Sequence, residues 1–219
     1  KLDMGIAFDG DAVRVLCVDG NCEVVDGDMI MAILARDMKA RGRLKNNTVV
    51  GTIMSNLGFI RFCEANDIRF AATKVGDRYV LEEMLLEDYA FGGEQSGHII
   101  FKDFATTGDG QLSAVQLLAH IHRSGKKLAE LKTVMTKYPQ LIVNIRTTDA
   151  AKLAFYTDDD VRAILDEGKE KLGDRGRLVV RPSGTEPLIR IMAEGEDEAF
   201  TEAIAKQVAE RIEEKLKVY

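Results

Sequence analysis

The sequence predicts an α/β domain with a mixed sheet, followed by an α+β two-layer sandwich. Three observations carry this reading. Between positions 48 and 74 an apolar run, a helical stretch and a second apolar run follow one another, the order of a strand–helix–strand unit with a right-handed crossover. At Tyr138-Pro139-Gln140 the pattern changes, and strands and helices then alternate as in a sheet covered on one face. Along the last stretch Phe200, Ile204, Val208, Ile212 and Leu216 recur every fourth residue, which gives one apolar helical stripe.

Taken in order, Gly5-Ile6-Ala7-Phe8 reads as a buried strand, and no helix or linker precedes it, so the chain reads as cut from a larger protein. Residues 15–18 and 22–25 form a hairpin around Asp19-Gly20-Asn21. A helix over 29–41 follows, with Asp28 as N-cap, Gly42 as stop, and Ile30, Ile33, Leu34 and Met38 on its inner face. The run 48–54 is a buried strand, Ser55-Asn56 opens a helix to Asn66, and 68–74 returns as a strand. Short helices are expected over 80–86 and around Leu128, Leu131 and Met135. Between them lies a longer helix, 111–123, that starts from Asp109 and turns Leu112, Val115 and Leu118 inward, with Ile121 or His122. His120 and His122 point to different faces of it and do not form a metal pair. Beyond the boundary come a strand at 141–146, a helix at 158–172, strands at 178–180 and 188–192, and a helix over 197–216.

Composition narrows the class. An apolar share of 46% and a charged share of 30% belong to an ordered soluble protein. A net charge of −6 argues against non-specific binding to nucleic acid, although clustered arginines can still hold phosphate. No apolar run reaches the roughly 20 residues of a membrane span, and no secretory signal opens the chain. Cys17, Cys22 and Cys63 lack zinc spacing and read as reduced thiols of a cytoplasmic protein.

Four loops carry the chemistry. Arg181-Pro182-Ser183-Gly184-Thr185-Glu186-Pro187, with Arg190 on the next strand, offers hydroxyls, a bare backbone and guanidinium forks, the needs of a phosphate dianion. The same residues also suit a plain Gly/Pro hairpin. Asp9-Gly10-Asp11-Ala12-Val13-Arg14 ends a strand with spaced carboxylates that suit Mg²⁺, or makes a tight Asp-Gly turn. Lys74-Val75-Gly76-Asp77-Arg78 follows a strand end, where ligands gather in α/β sheets, or is a solvated loop with a weak Asp77–Arg78 pair. Gly92-Gly93-Glu94-Gln95-Ser96-Gly97-His98 holds groups that read sugar hydroxyls, with a histidine able to act as acid or base, or is a glycine-rich connection to a strand at 98–101.

Together these four stretches, in this order, resemble the loops of the alpha-D-phosphohexomutases. The likeness runs from Gly5 to the end of the chain. The resemblance implies three pieces: 1–25, the C-terminal remnant of domain 2 with the metal loop; 26–139, the α/β sugar-binding domain 3; and 140–219, a TATA-binding-protein-like phosphate-binding domain 4. It implies reversible phosphoryl transfer between glucosamine 6-phosphate and glucosamine 1-phosphate through a phosphoserine and a bisphosphate, on the route to UDP-N-acetylglucosamine and the cell wall. Glucose or mannose phosphates are the alternative substrates, and a non-catalytic phosphosugar-binding module is the alternative class. By the match, Lys74, His98 and Arg14 are the catalytic group. Gly76, Asp77, Arg78, Glu94, Ser96, Arg181, Ser183, Gly184, Thr185 and Arg190 are the substrate-binding group. Asp9 and Asp11 hold Mg²⁺. Val13 stands where the family has a third aspartate, which weakens that site. The family's serine motif, of Ser-any-Ser-His-Asn-Pro type, is not found in this sequence. The resemblance therefore implies a fragment that needs its missing N-terminal half, is inactive alone, and belongs to a cytoplasmic enzyme with no nucleic-acid or membrane partner; whether that enzyme is a homodimer the sequence leaves open.

Overall fold

The computed structural model describes residues 2–219, which form two compact units, one ending at Lys137 and one beginning at Tyr138.

The first unit opens with β1 (Met4–Phe8), β2 (Val15–Asp19) and β3 (Val24–Val25), an antiparallel sheet in the order β1-β2-β3. Strand alternation sends Val15, Cys17 and Val25 into the main core. The expectation of a buried first strand is not met. β1 is an edge strand paired on one side, and Gly5, Ala7 and Phe8 are exposed, Phe8 by 44%.

α1 (Gly27–Ala40) fills the centre of the unit with Ile30, Met31, Ile33 and Leu34. Its cap is Asp26 and not the expected Asp28. The Asp26 carboxylate accepts from the Met29 amide at 3.1 Å, so the helix starts earlier. Asp28, inside the first turn, is fully buried and accepts the Asn56 amide at 2.6 Å.

A four-stranded mixed sheet follows in the order β5-β4-β6-β7, from β4 (Thr48–Thr52), β5 (Arg69–Thr73), β6 (Phe91–Gly93) and β7 (Ile99–Phe101). β4 runs parallel to β5 and β6, while β6 and β7 form an antiparallel hairpin. The crossover between β4 and β5 is α2 (Leu57–Ala65), capped by Asn56. Val49, Phe91, Ile99 and Phe101 face the core with α1 and α2, whereas Val50 and Ile100 face Val80 and Met84 of α3 (Asp77–Leu86). Covered on both faces, β4 is buried throughout, as its unbroken apolar run implies.

α3 begins at Asp77, a turn before the expected 80, which takes Asp77 and Arg78 out of the loop and into the helix. α4 (Gly110–Ser124) starts as expected, the Asp109 carboxylate accepting from Leu112, and ends at left-handed Gly125. Of its expected inner face, Leu112 and Ile121 pack against the core, but the middle of the face differs. Val115 and Leu118 are exposed by 59% and 42%, and Ser113, Ala114 and Leu117 are buried instead. Ala114 and Leu117 belong to the main core of the unit. α5 (Leu128–Leu131) and a 3₁₀ turn close the unit. From that turn Lys132 reaches buried Asp19 at 2.7 Å and also pairs with Glu23, tying the β1-β2-β3 sheet down.

The second unit is a sheet of β8 (Gln140–Arg146), β10 (Leu188–Gly195) and β9 (Gly176–Pro182), antiparallel in the order β8-β10-β9. Ile145, Leu178, Ile189 and Ile191 meet α7 (Asp159–Leu172) and α8 (Glu198–Leu216), whose Ile204, Val208, Ile212 and Leu216 form the expected stripe. A β-carbon on Gly168 of α7 would lie 2.8 Å from Val208 of α8, so this glycine sets how closely the two helices approach. Asp158, expected inside α7, is its N-cap. α6 (Asp149–Thr157), capped by Thr148, is an element the sequence reading left out. Its Leu153 and Tyr156 are exposed by 72% and 65%, so its apolar residues do not trace a single buried stripe.

The cysteines are free. Burial pushes the Cys17 thiol up to about 11 and Cys63 up to about 12, which makes both inert, while Cys22 is exposed. No helix among the described residues is long and apolar enough to cross a membrane.

Candidate functional site

In the first unit three of the four loops are hydrogen-bonded to one another. The 94–98 loop is the hub. It is closed by the Glu94 amide on the His98 carbonyl at 2.9 Å and the Gly97 amide on the Glu94 carbonyl at 3.0 Å. On one side, the Gly27 amide at the start of α1 donates to the Gln95 carbonyl at 2.9 Å. On another, the Val15 amide of β2 donates to the Gly97 carbonyl at 3.1 Å, and Arg14 and His98 form an isolated antiparallel bridge. Gly97 has φ +92, and a β-carbon there would strike the Val15 carbonyl, so only glycine fits.

The 74–78 loop is held to this hub by a side chain. The Gly76 amide, at φ +128, donates to the Glu94 carboxylate at 2.9 Å. Glu94 thereby supplies an acceptor at the N-terminus of α3, where Gly76 itself has no side chain to give. Lys74 lies 5.8 Å from the Tyr79 ring centroid. Arg78 pairs with Glu82 at 2.7 Å and not with Asp77, because both sit on α3 one turn apart. Hydrogen bonding to that carboxylate raises the Arg78 pKa further above its ordinary value. Asp77 instead lies 3.8 Å from His98 Nε2. His98 is 4% exposed, and its Nε2 accepts the Gly108 amide at 3.0 Å; Ser96 is exposed on the same loop.

The 9–14 loop is folded around Asp9, whose carboxylate accepts the Arg14 amide at 3.0 Å and pairs with the Arg14 guanidinium at 3.5 Å. Ala12 sits in the left-handed region at φ 58, and its carbonyl accepts the Gly110 amide at 2.9 Å. As a magnesium cage this loop is incomplete. Val13 contributes no oxygen, Asp9 is already engaged by Arg14, and among the described residues no three His, Cys, Asp or Glu side chains gather as a metal set. The residues present do not make the three-carboxylate site.

The fourth loop belongs to the second unit. Arg181 and Arg190 are direct cross-strand partners on β9 and β10, and Asn144 is the partner of Arg190 on β8. Arg190 donates to Asn144 at 3.3 Å and to Glu186 at 3.2 Å. The Arg181 Nε is buried and makes no hydrogen bond among the described residues. Ser183 is buried, its hydroxyl accepts the Glu186 amide at 3.1 Å, and its proton stays free to give; Gly184 and Thr185 are exposed at the tip. Two guanidinium groups set side by side repel unless an anion lies between them or near them.

Four further residues hold the loops in place. Asn144 carried a signal, a polar residue at the alternating position of an apolar strand. Gly27, Gly108 and Gly110 were visible only as parts of helix-start motifs, and their roles depend on distant backbone.

Residues 26–138 match the phosphoglucomutase/phosphomannomutase alpha/beta/alpha domain III, and residues 142–211 match the C-terminal domain of the same family. Phosphoglucosamine mutases of Caldanaerobacter subterraneus subsp. tengcongensis and Brevibacillus brevis are each 51% identical to the chain over 216 residues, 99% of it and 48% of their own length. The chain thus spans about half the length of the curated relatives it matches. Aspergillus fumigatus N-acetylphosphoglucosamine mutase shares the fold at a TM-score of 0.81 and 21% identity, over 97% of this chain and 48% of that one. A complex of that enzyme with GlcNAc-6P and magnesium gives a TM-score of 0.78 at 20% identity, over 96% and 52%. With both domain models matched in order and half-length relatives at this identity, the chain belongs to the phosphoglucomutase/phosphomannomutase family.

Proposed function

We propose that this chain is the sugar- and phosphate-binding half of a phosphoglucosamine mutase, which interconverts glucosamine 6-phosphate and glucosamine 1-phosphate. The observation that carries the proposal is the joining of three loops far apart in sequence, 9–14, 74–78 and 94–98, by the Gly76–Glu94, Val15–Gly97 and Arg14–His98 contacts. Glu94 and Ser96 would read sugar hydroxyls, with the 76–78 segment beside them. Lys74 would offset charge on the transferred phosphoryl group, with Arg14 and His98 close to it. The Arg181, Ser183, Gly184, Thr185 and Arg190 loop would hold the phosphate that is not reacting. A substrate that binds in two orientations needs such a grip for either of its phosphates. The nucleophilic serine comes from the half that the relatives carry beyond this chain, so the chain by itself binds and does not turn over.

Val13 favours a second reading, a phosphosugar-binding module without catalysis. Restoring Val13→Asp and supplying the missing half separates the two, since recovered turnover belongs to the enzyme alone. The first test is a backbone-amide NMR titration with glucosamine 6-phosphate, with glucose 6-phosphate as competitor. Saturable shifts are expected at Ser183, Gly184 and Thr185 and from Glu94 to His98, with no mutase turnover. Silence at millimolar ligand, or steady turnover by the chain alone, would overturn the proposal.

A further inference from the structure

His98 is the one imidazole in the assembled loops, and an imidazole has two edges with different uses. Its Nε2 lies 3.0 Å from the Gly108 amide nitrogen, a backbone N–H that can only donate. Nε2 is therefore the acceptor, and the proton of the neutral ring sits on Nδ1. The Asp77 carboxylate, 3.8 Å from the same Nε2, is beyond hydrogen-bond range and does not compete. Nδ1 makes no hydrogen bond among the described residues, so it is the edge left with a hydrogen to give.

The contact is built in from both sides. A β-carbon on Gly108 would run into Nε2 and lie 2.6 Å from Cε1, so no other residue type brings its amide this close. The residues that follow are anchored. Asp109 caps α4, and the Gly110 amide donates to the Ala12 carbonyl at 2.9 Å. His98 itself is held by its bridge to Arg14.

We propose that Gly108 is a positioning residue whose amide fixes His98 in the Nδ1–H tautomer, so that His98 meets its ligand as a hydrogen-bond donor through Nδ1 and not as a proton acceptor. The ligand half of this inference rests on the phosphosugar reading above; the tautomer half does not.

The test is long-range ¹H–¹⁵N NMR of the histidine rings in the intact chain. A protonated, pyrrole-type Nδ1, a pyridine-type Nε2 and a scalar coupling across the hydrogen bond from the Gly108 nitrogen to Nε2 are expected. A proton on Nε2, or an equal mixture of tautomers, overturns the inference in the wild-type chain without any variant. In Gly108→Ala the bias should be lost while amide shifts of the second unit stay in place; a folded variant that keeps the Nδ1–H form removes Gly108 from the positioning role. On adding glucosamine 6-phosphate, Nδ1 and its proton should shift while Nε2 stays pyridine-type. If the amides of 94–98 shift and Nδ1 does not, donation to the ligand is wrong. If no amide in the chain shifts, the phosphosugar reading falls and takes that half with it, while the tautomer result stands or falls on its own.

Discussion

Gly27→Ala sets two physical effects against each other. Gly27 is the first residue of α1, and alanine is the better helix former by up to about 1 kcal/mol in a helix interior. Helix propensity alone therefore predicts a more stable chain. The tertiary contacts predict the reverse. A β-carbon at 27 would run into the Glu94 carbonyl oxygen and lie 2.7 Å from the Gly97 nitrogen and 2.8 Å from the Gln95 oxygen. All three are backbone atoms, so no side chain can swing aside, and the loop must move by more than an ångström to bring the nearest of them to ordinary contact at 3.4 Å. Such overpacking costs roughly 1–3 kcal/mol, and the Gly27–Gln95 hydrogen bond, worth about 1 kcal/mol, is weakened with it. The expected net effect is a loss of about 1–3 kcal/mol in the first unit. Native-state amide exchange of the α1 and β4 core measures that unit separately. The same displacement should shift the amides of 94–98 and lower phosphosugar affinity, because Glu94 and His98 move with the loop. A Gly27→Ala chain as stable as wild type, with 94–98 amides unmoved, would refute the packing argument.

Three further outcomes are expected. Arg190→Ala should weaken glucosamine 6-phosphate binding about ten- to a hundredfold by calorimetry, the worth of a charge-assisted contact, without destabilising the second unit, since it also relieves repulsion with Arg181. Equal affinity would sink the phosphate-loop assignment. Val13→Asp should raise Mg²⁺ affinity by on the order of tenfold or more, because it adds a carboxylate to Asp9 and Asp11; identical calorimetric isotherms would show that the loop is not a metal site. Asp19 is held below its ordinary value of 3.8 by the hydrogen bond from Lys132 and by the Glu23 amide. Its contribution is complete above 3.8 and is lost as pH falls below it through the depressed value. Acid unfolding of Asp19→Asn should therefore differ from wild type in midpoint stability at neutral pH and converge with it at low pH. Parallel curves at every pH would show that the Lys132 pair contributes nothing.

The reach of the sequence follows from what is local. Strands and helices write their periods into neighbouring residues, so β4, α2, β5 and the stripe of α8 were legible from position to position. The four loop motifs were legible for the same reason, each being a short run of residues. Even so, the pattern starts α3 one turn late, and α6 is not legible because its apolar residues do not trace one face.

What only the tertiary structure decided is pairing between distant segments. Asp26 and Asp28 are interchangeable as caps in the sequence; burial against Asn56 separates them. On α4 the core takes Ser113, Ala114 and Leu117 and leaves the larger Val115 and Leu118 outside, a choice that residue size along the helix does not encode. Asn144, Arg190 and Arg181 become neighbours through strand register alone. The His98 tautomer is set by an amide ten residues on, and the grip on the 94–98 loop comes from glycines at 27 and 97 that admit backbone at close range. By itself the sequence determined which polar groups the four loops carry. The tertiary structure decided which of their atoms are engaged and which are left free, because a hydrogen bond joins positions in space whatever their separation along the chain.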